Sequence, residues 1–174
     1  SHPAFSTLSF SQLDQRVSQA SRELFQAGIS AGDKTLLFVN PGPGLIIWAF
    51  ALFRLGAIPV IIDPGMGLGS FLASIKRTQP IAMVGISRAH WLSRFMPRPF
   101  HSIRRRYLVR PGYYGAESTD PLPRPDSKRS SNDLAAIVFT SGSTGTPKGV
   151  RYLNQNFSAQ IHSLRSEFDM EEGE

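Results

Sequence analysis

Cysteine is absent from all 174 residues, which excludes disulfides and thiolate metal sites and points toward a reducing, cytoplasmic setting. Long apolar runs are also missing. The longest, LIIWAFALF from Leu45 to Phe53, is too short to span a bilayer and reads as a buried helix. The opening SHPAFSTLSF lacks a basic n-region and an apolar h-region, so no secretory leader is expected. Metal-ligand spacing is lacking as well: His2, His90, His101 and His162 read as surface or packing residues. Acid is missing from a whole stretch. From Gly65 through Ala116 there is no Asp or Glu but nine Lys or Arg, whereas the rest of the chain carries ten basic and thirteen acidic residues. Such a block is a solvated face, a face against acidic protein, or the footprint of an anionic partner, and the first two readings are preferred.

The hydrophobic content of 41% is enough for one compact domain with a sizeable core. SFSQLDQRVSQASRELFQAG specifies a helix: Ser9 as N-cap with Gln12 completing a capping box, Leu13, Val17, Leu24 and Ala27 on one face, and Gly28 for the left-handed position after the last turn. KTLLFVN then reads as a strand. PGPGLIIWAFALFRLG reads as a helix apolar nearly all round, and AIPVIID as a buried strand. FLASIKRTQ and SRAHWLSRF follow as helices, with IAMVGI and RRYLVR as strands. This alternation predicts an α/β fold, a mostly parallel sheet with helices on both faces. Residues 111–133 hold four prolines and should form an exposed connection. LAAIVFT and GVRYLN are strands, and Asn154 is the expected cap of a last helix, QNFSAQIHSLRSEF.

Several apparent motifs fail on spacing. In DPGMGLGS, Gly65 and Gly67 fit a dinucleotide fingerprint, but Ser70 occupies the third glycine position, and the ribose-binding acid expected about twenty residues later is missing. A turn requiring positive φ explains the glycines better. No GxSxG elbow occurs, since Ser141 stands two places before Ser143. RPFHSIRRRYLVR mixes arginines with aromatics but carries no RRM or KH pattern, so nucleic acid is not expected as a partner.

The chemistry concentrates in AIVFTSGSTGTPKGVRYL, residues 136–153. A Walker A loop is ruled out: counting from Gly142, Pro147 stands where glycine is required, and Gly149 follows Lys148 where Ser or Thr is required. The ingredients of anion binding are nevertheless present. Glycines let backbone N–H groups turn inward, Thr140, Ser141, Ser143, Thr144 and Thr146 offer hydroxyls, and Lys148 offers a cation. Composition alone leaves a phosphate cradle and a flexible turn about equally open.

The order of the residues resembles something more specific. FTSGSTGTPKGV is similar to the phosphate-binding signature of the adenylate-forming (AMP-binding) superfamily, which includes acyl-CoA synthetases. LSFSQL, Leu8 to Leu13, resembles that family's opening helix motif, and FRLGAIPVIIDPG, Phe53 to Gly65, its second core motif. The resemblance runs from about Leu8 to the end of the chain. It is strongest toward the branch found in bacterial olefin biosynthesis, whose members are β-lactone synthetases often labelled fatty-acid–CoA ligases.

The resemblance implies ATP-dependent activation of a fatty or β-hydroxy fatty acid through an acyl-adenylate, with ATP and Mg²⁺ as cofactors, pyrophosphate as leaving group and CoA as a candidate second substrate. It implies a cradle for the ATP phosphates made by Thr140, Ser141, Gly142, Ser143, Thr144, Gly145, Thr146 and Lys148, none of them a nucleophile or general base. The family's metal ligand, acyl pocket and mobile C-terminal domain come later in its sequences. Residues 1–174 are therefore expected to be the N-terminal portion of the AMP-binding domain, inactive alone, with open apolar surface that favours self-association. The competing readings are a non-catalytic nucleotide- or anion-binding module and a basic nucleic-acid-binding domain.

Overall fold

A computed structural model describes residues 8–113, 130–140 and 147–168. The order is α1 (Phe10–Gln26), β1 (Lys34–Phe38), α2 (Pro43–Leu55), β2 (Ile58–Ile62), a 3₁₀ turn (Pro64–Met66), α3 (Leu68–Thr78), β3 (Ala82–Gly85), α4 (Ser87–Phe95), β4 (Arg105–Leu108), β5 (Leu134–Thr140), β6 (Lys148–Leu153) and α5 (Asn154–Phe168). The strands form one sheet in the order β4-β3-β1-β2-β5-β6. The first five run parallel, and β6 returns antiparallel to β5. The α/β fold read from the alternation of elements is therefore the one found.

Helices cover both faces, each over its own core. On one face α1 and α2 bury Val17, Leu24, Trp48 and Leu52 against Leu37 and Val84. On the other, Phe71 and Ile75 of α3, Ala89 of α4, and the loop residues Phe100 and Ile103 pack on Leu36, Val60 and Met83. Local chemistry explains the boundaries. The Ser9 hydroxyl accepts from the Gln12 N–H at 3.2 Å while the Gln12 side chain accepts from the Ser9 N–H at 2.9 Å, the expected capping box. Gly28 takes φ +83° just past the last turn of α1, as expected. Gly67, with φ +83°, directly precedes α3 and supplies the positive φ expected of the glycine-rich turn, whereas Gly65 lies in the 3₁₀ turn without one.

Two expectations need correction. The apolar run in α2 is only half covered: Trp48, Ala51 and Leu52 are buried, but Ile46 and Phe50 are exposed, because α1 covers one flank while on the α5 side an open groove runs beside Phe50. Asn154 is the first residue of α5 rather than its cap. The side chain of Asn156 accepts from the Leu153 N–H at 2.7 Å, and the Asn154 amide donates instead to the Ser130 carbonyl at 2.8 Å. Of the expected connection 111–133, Pro111–Tyr113 and Ser130–Asp133 are exposed, and 114–129 lies outside the described residues.

Candidate phosphate-binding site

Five parallel strands present their carboxyl ends along one edge of the sheet, the edge at which open α/β sheets receive ligands. β5 ends there at Thr140. The chain re-enters as β6, with Lys148 in register opposite Thr140. Both residues are exposed. The predicted cradle is thus brought together at its two ends. Ser141, Gly142, Ser143, Thr144, Gly145 and Thr146 lie outside the described residues.

The base of this hairpin is held from below. A Cβ on Gly149 would stand 2.7 Å from Cζ and 2.9 Å from Cε1 of Phe139, so only glycine lets the Phe139 ring lie under β6. The Arg77 guanidinium carbon sits 5.7 Å from the centroid of that ring, within cation–π range. Its Nη1 donates to the Pro147 carbonyl at 3.4 Å. Arg77 therefore ties the carboxyl end of α3 to the returning limb of the loop. Next along the edge, the Asp63 N–H donates to the Phe139 carbonyl at 3.4 Å, and the Asp63 carboxylate accepts from the Gly65 N–H at 2.8 Å. The turn after β2 and the loop after β5 are thus hydrogen-bonded neighbours.

A cleft of about 370 Å³ extends from Arg77, Phe139 and Gly149 toward Lys34 at the other end of the sheet, and all its charged lining residues are basic: Lys34, Arg77 and Arg151. Lys34 Nζ is already committed to the Thr78 carbonyl at 2.8 Å. Among the described residues no three His, Asp or Glu side chains are grouped to hold a metal ion, so Mg²⁺ is assigned no ligand here.

Sequence reasoning missed Arg77. It sits in the acid-free block, seventy positions from Pro147, and no local signal joins the two. His90 Nε2 lies 3.2 Å from both the Gly85 and Tyr107 carbonyls and bridges β3 to β4, the packing role expected of it. Tyr107 hydrogen-bonds Glu23. Burial raises the Tyr107 pKa well above the usual phenol value, and the Glu23 carboxylate adds to the shift. This pair lies by β4, at the opposite edge of the sheet from β5 and β6.

Comparison with known proteins gives a consistent picture. Residues 3–174 match the family model described as AMP-binding enzyme. The olefin β-lactone synthetase of Stenotrophomonas maltophilia is 39% identical over 175 residues, an alignment covering 96% of this chain and 32% of that protein. The olefin β-lactone synthetase of Xanthomonas campestris pv. campestris is 36% identical over 178 residues, covering 96% and 31%. Among solved structures, a fatty acyl-adenylate ligase from L. pneumophila, in complex with acyl adenylate and pyrophosphate, superposes with a TM-score of 0.71 at 25% identity, covering 95% of this chain and 28% of that one. The chain thus spans about a third of the length of the curated relatives it matches.

Proposed function

The chain belongs to the AMP-binding enzyme family, and on that premise we propose that it supplies the phosphate-gripping part of an enzyme that activates a carboxylic acid as its acyl-adenylate. One observation carries the reading: Thr140 and Lys148 face each other in register at the carboxyl edge of the parallel sheet, with Arg77 fastening the loop between them. The acid is a fatty acid, in keeping with the fatty acyl-adenylate ligase among the similar structures, and a β-hydroxy fatty acid on the likeness to olefin β-lactone synthetases. Residues 1–174 are read as the N-terminal portion of the AMP-binding domain.

In this reading a carboxylate oxygen of the acid attacks the α-phosphorus of ATP, the bond from that phosphorus to the bridging oxygen breaks, and pyrophosphate leaves with the electron pair. Thr140, Ser141, Gly142, Ser143, Thr144, Gly145, Thr146 and Lys148 hold the β- and γ-phosphates through hydroxyls, backbone N–H groups and one cation. Their work is positioning and stabilising the charge that develops on the leaving group. Mg²⁺, when bound to the phosphates, adds charge neutralisation. None of these side chains takes a proton or attacks. The chain alone does not complete the reaction, and its setting is the cytoplasm, where ATP is supplied.

Taken alone, the chain also self-associates in this reading. Phe50, Phe53, Phe157 and Ile161 line an apolar groove of about 590 Å³ between α2 and α5, which invites burial against a second copy. Light scattering at rising concentration checks this, and a strictly monomeric chain removes it.

The test of the site uses an enzyme of the relatives' full length that carries this segment. Lys148→Ala is expected to lower acid-dependent ATP–pyrophosphate exchange about a hundredfold with an unchanged circular dichroism spectrum. Undiminished exchange removes Lys148 from the site. Exchange clearly above background from the 174-residue chain alone overturns the view that it is incomplete. Product analysis with a β-hydroxy fatty acid, ATP and CoA separates a β-lactone from a thioester product.

A further inference from the structure

The later part of the acid-free stretch, α4 and β4, lies at the edge of the sheet opposite β5 and β6. β4 is the outermost strand there, five interstrand spacings or roughly 24 Å from β6. Beside it lies α4. Trp91 and Phe95, four residues apart on α4, are 62% and 73% exposed, and their rings stack with centroids 5.6 Å apart and planes 18° from parallel. Met96 follows directly and is exposed, and Leu108 of β4 is exposed across a shallow pocket of about 270 Å³ that it lines with Ser87, His90, Trp91 and Arg94.

Single exposed apolar residues are ordinary on a protein surface. Four together, two of them aromatic, form a patch. Arginines flank it. Arg88 stands three residues before Trp91 on the same helix, Arg94 shares the pocket, and Arg98 follows the end of α4; all three are exposed. Among the described residues none of the three takes part in an ion pair. Arg106 is directed toward α4, its Nη1 donating to the Ser93 hydroxyl at 2.8 Å. The sequence from Gly65 through Ala116 supplies no carboxylate of its own.

We propose that the face formed by Trp91, Phe95, Met96 and Leu108, ringed by Arg88, Arg94 and Arg98, docks the chain on an anionic lipid surface. Tryptophan, phenylalanine and leucine partition to the boundary between headgroups and acyl chains, and arginines beside them pair with anionic headgroups. The arrangement suits lipid better than nucleic acid. A base-stacking surface needs free ring faces along a basic groove, whereas Trp91 and Phe95 each spend one face on the other, and Met96 and Leu108 offer no stacking surface at all. With only nine residues in α4, the association is expected to be weak, reversible and salt-sensitive. It does not depend on the proposed enzymatic reaction, and its readout needs neither ATP nor turnover.

The two tryptophans make the test direct. Trp48 is fully buried, so a spectral change on adding vesicles reports Trp91. The 174-residue chain is titrated with vesicles of phosphatidylcholine alone and of phosphatidylcholine with phosphatidylglycerol. The expected result is a blue shift and quenching by brominated lipid with the anionic vesicles only, reversed by salt. Replacing Arg88, Arg94 and Arg98 together by Gln is expected to weaken binding on the order of a hundredfold, and Phe95→Ser to weaken it roughly tenfold, with circular dichroism unchanged. Arg151→Gln, at the far edge of the sheet, is expected to leave affinity as it was. Equal binding to neutral vesicles, undiminished binding by the triple variant, or tighter binding to single-stranded RNA than to anionic vesicles overturns the proposal.

Discussion

Helices α1 and α5 are of similar length, 17 and 15 residues, yet α1 buries six residues and α5 none. The difference lies in what each packs against. α1 lies along α2: Ser21 donates to the carbonyls of Val17 and Ala51, and Arg54 pairs with Asp14 at 2.5 Å while donating to Ser18. α5 is held near its start, where Phe157 meets Phe53 at 5.4 Å and Tyr152 at 5.7 Å between ring centroids. Ile161, Leu164 and Phe168 beyond that are exposed. An isolated helix of this length is marginal in water, and most helical stability comes from packing of one face. The α1 side of the molecule is thus a finished core, and the α5 side an apolar face with no cover among the described residues.

The contrast can be broken at its strongest point. Trp48 is fully buried between α1, α2 and Tyr107. Trp48→Ala is expected to cost about 3–5 kcal/mol, measured by urea denaturation; a loss under about 1 kcal/mol means that the α1–α2 core is looser than described. Gly149→Ala comes next, at about 1–3 kcal/mol, because the added methyl must displace the Phe139 ring. Hydrogen exchange should quicken in β5 and β6 while α1 stays protected, and uniform quickening would show the two sides to be one cooperative unit.

Ser9→Ala sharpens the comparison from the α1 side. Loss of the capping box is expected to cost about 1 kcal/mol in thermal unfolding, and no cost would assign the start of α1 to packing alone. The smallest effect is expected on α5. Leu164→Ser should change stability by no more than about 0.5 kcal/mol, yet lower the mass seen by light scattering at high concentration. A large stability loss would reveal packing on α5 that its exposure does not indicate.

Much of the fold was legible because local rules and tertiary packing agree. LAAIVFT is the strand Leu134–Thr140, and Ser9, Gln12 and Gly28 delimit α1 as their chemistry dictates. Apolar content misled where burial depends on a neighbour. The run from Leu45 to Phe53 looks the same to the sequence whether or not a second layer covers Ile46 and Phe50. Asn154 looked like a cap, but Asn156 reaches the Leu153 N–H, and Asn154 ties the helix to Ser130. At the candidate site, Lys148 was readable from its motif, while Arg77 was not, because its partners come from β5 and the Pro147 carbonyl. Likewise the basic block gave no sign that Trp91 and Phe95 would stand together outside the core.

The register pair Thr140–Lys148 also fixes which residue of β6 lies over the Phe139 ring. Side chains on β6 alternate between the two faces of the sheet, so one residue inserted ahead of Gly149 within the strand would turn each following side chain to the opposite face. A residue bearing a Cβ would then lie over Phe139, where the ring leaves room for hydrogen only. An insertion series through 147–149 would read that constraint residue by residue.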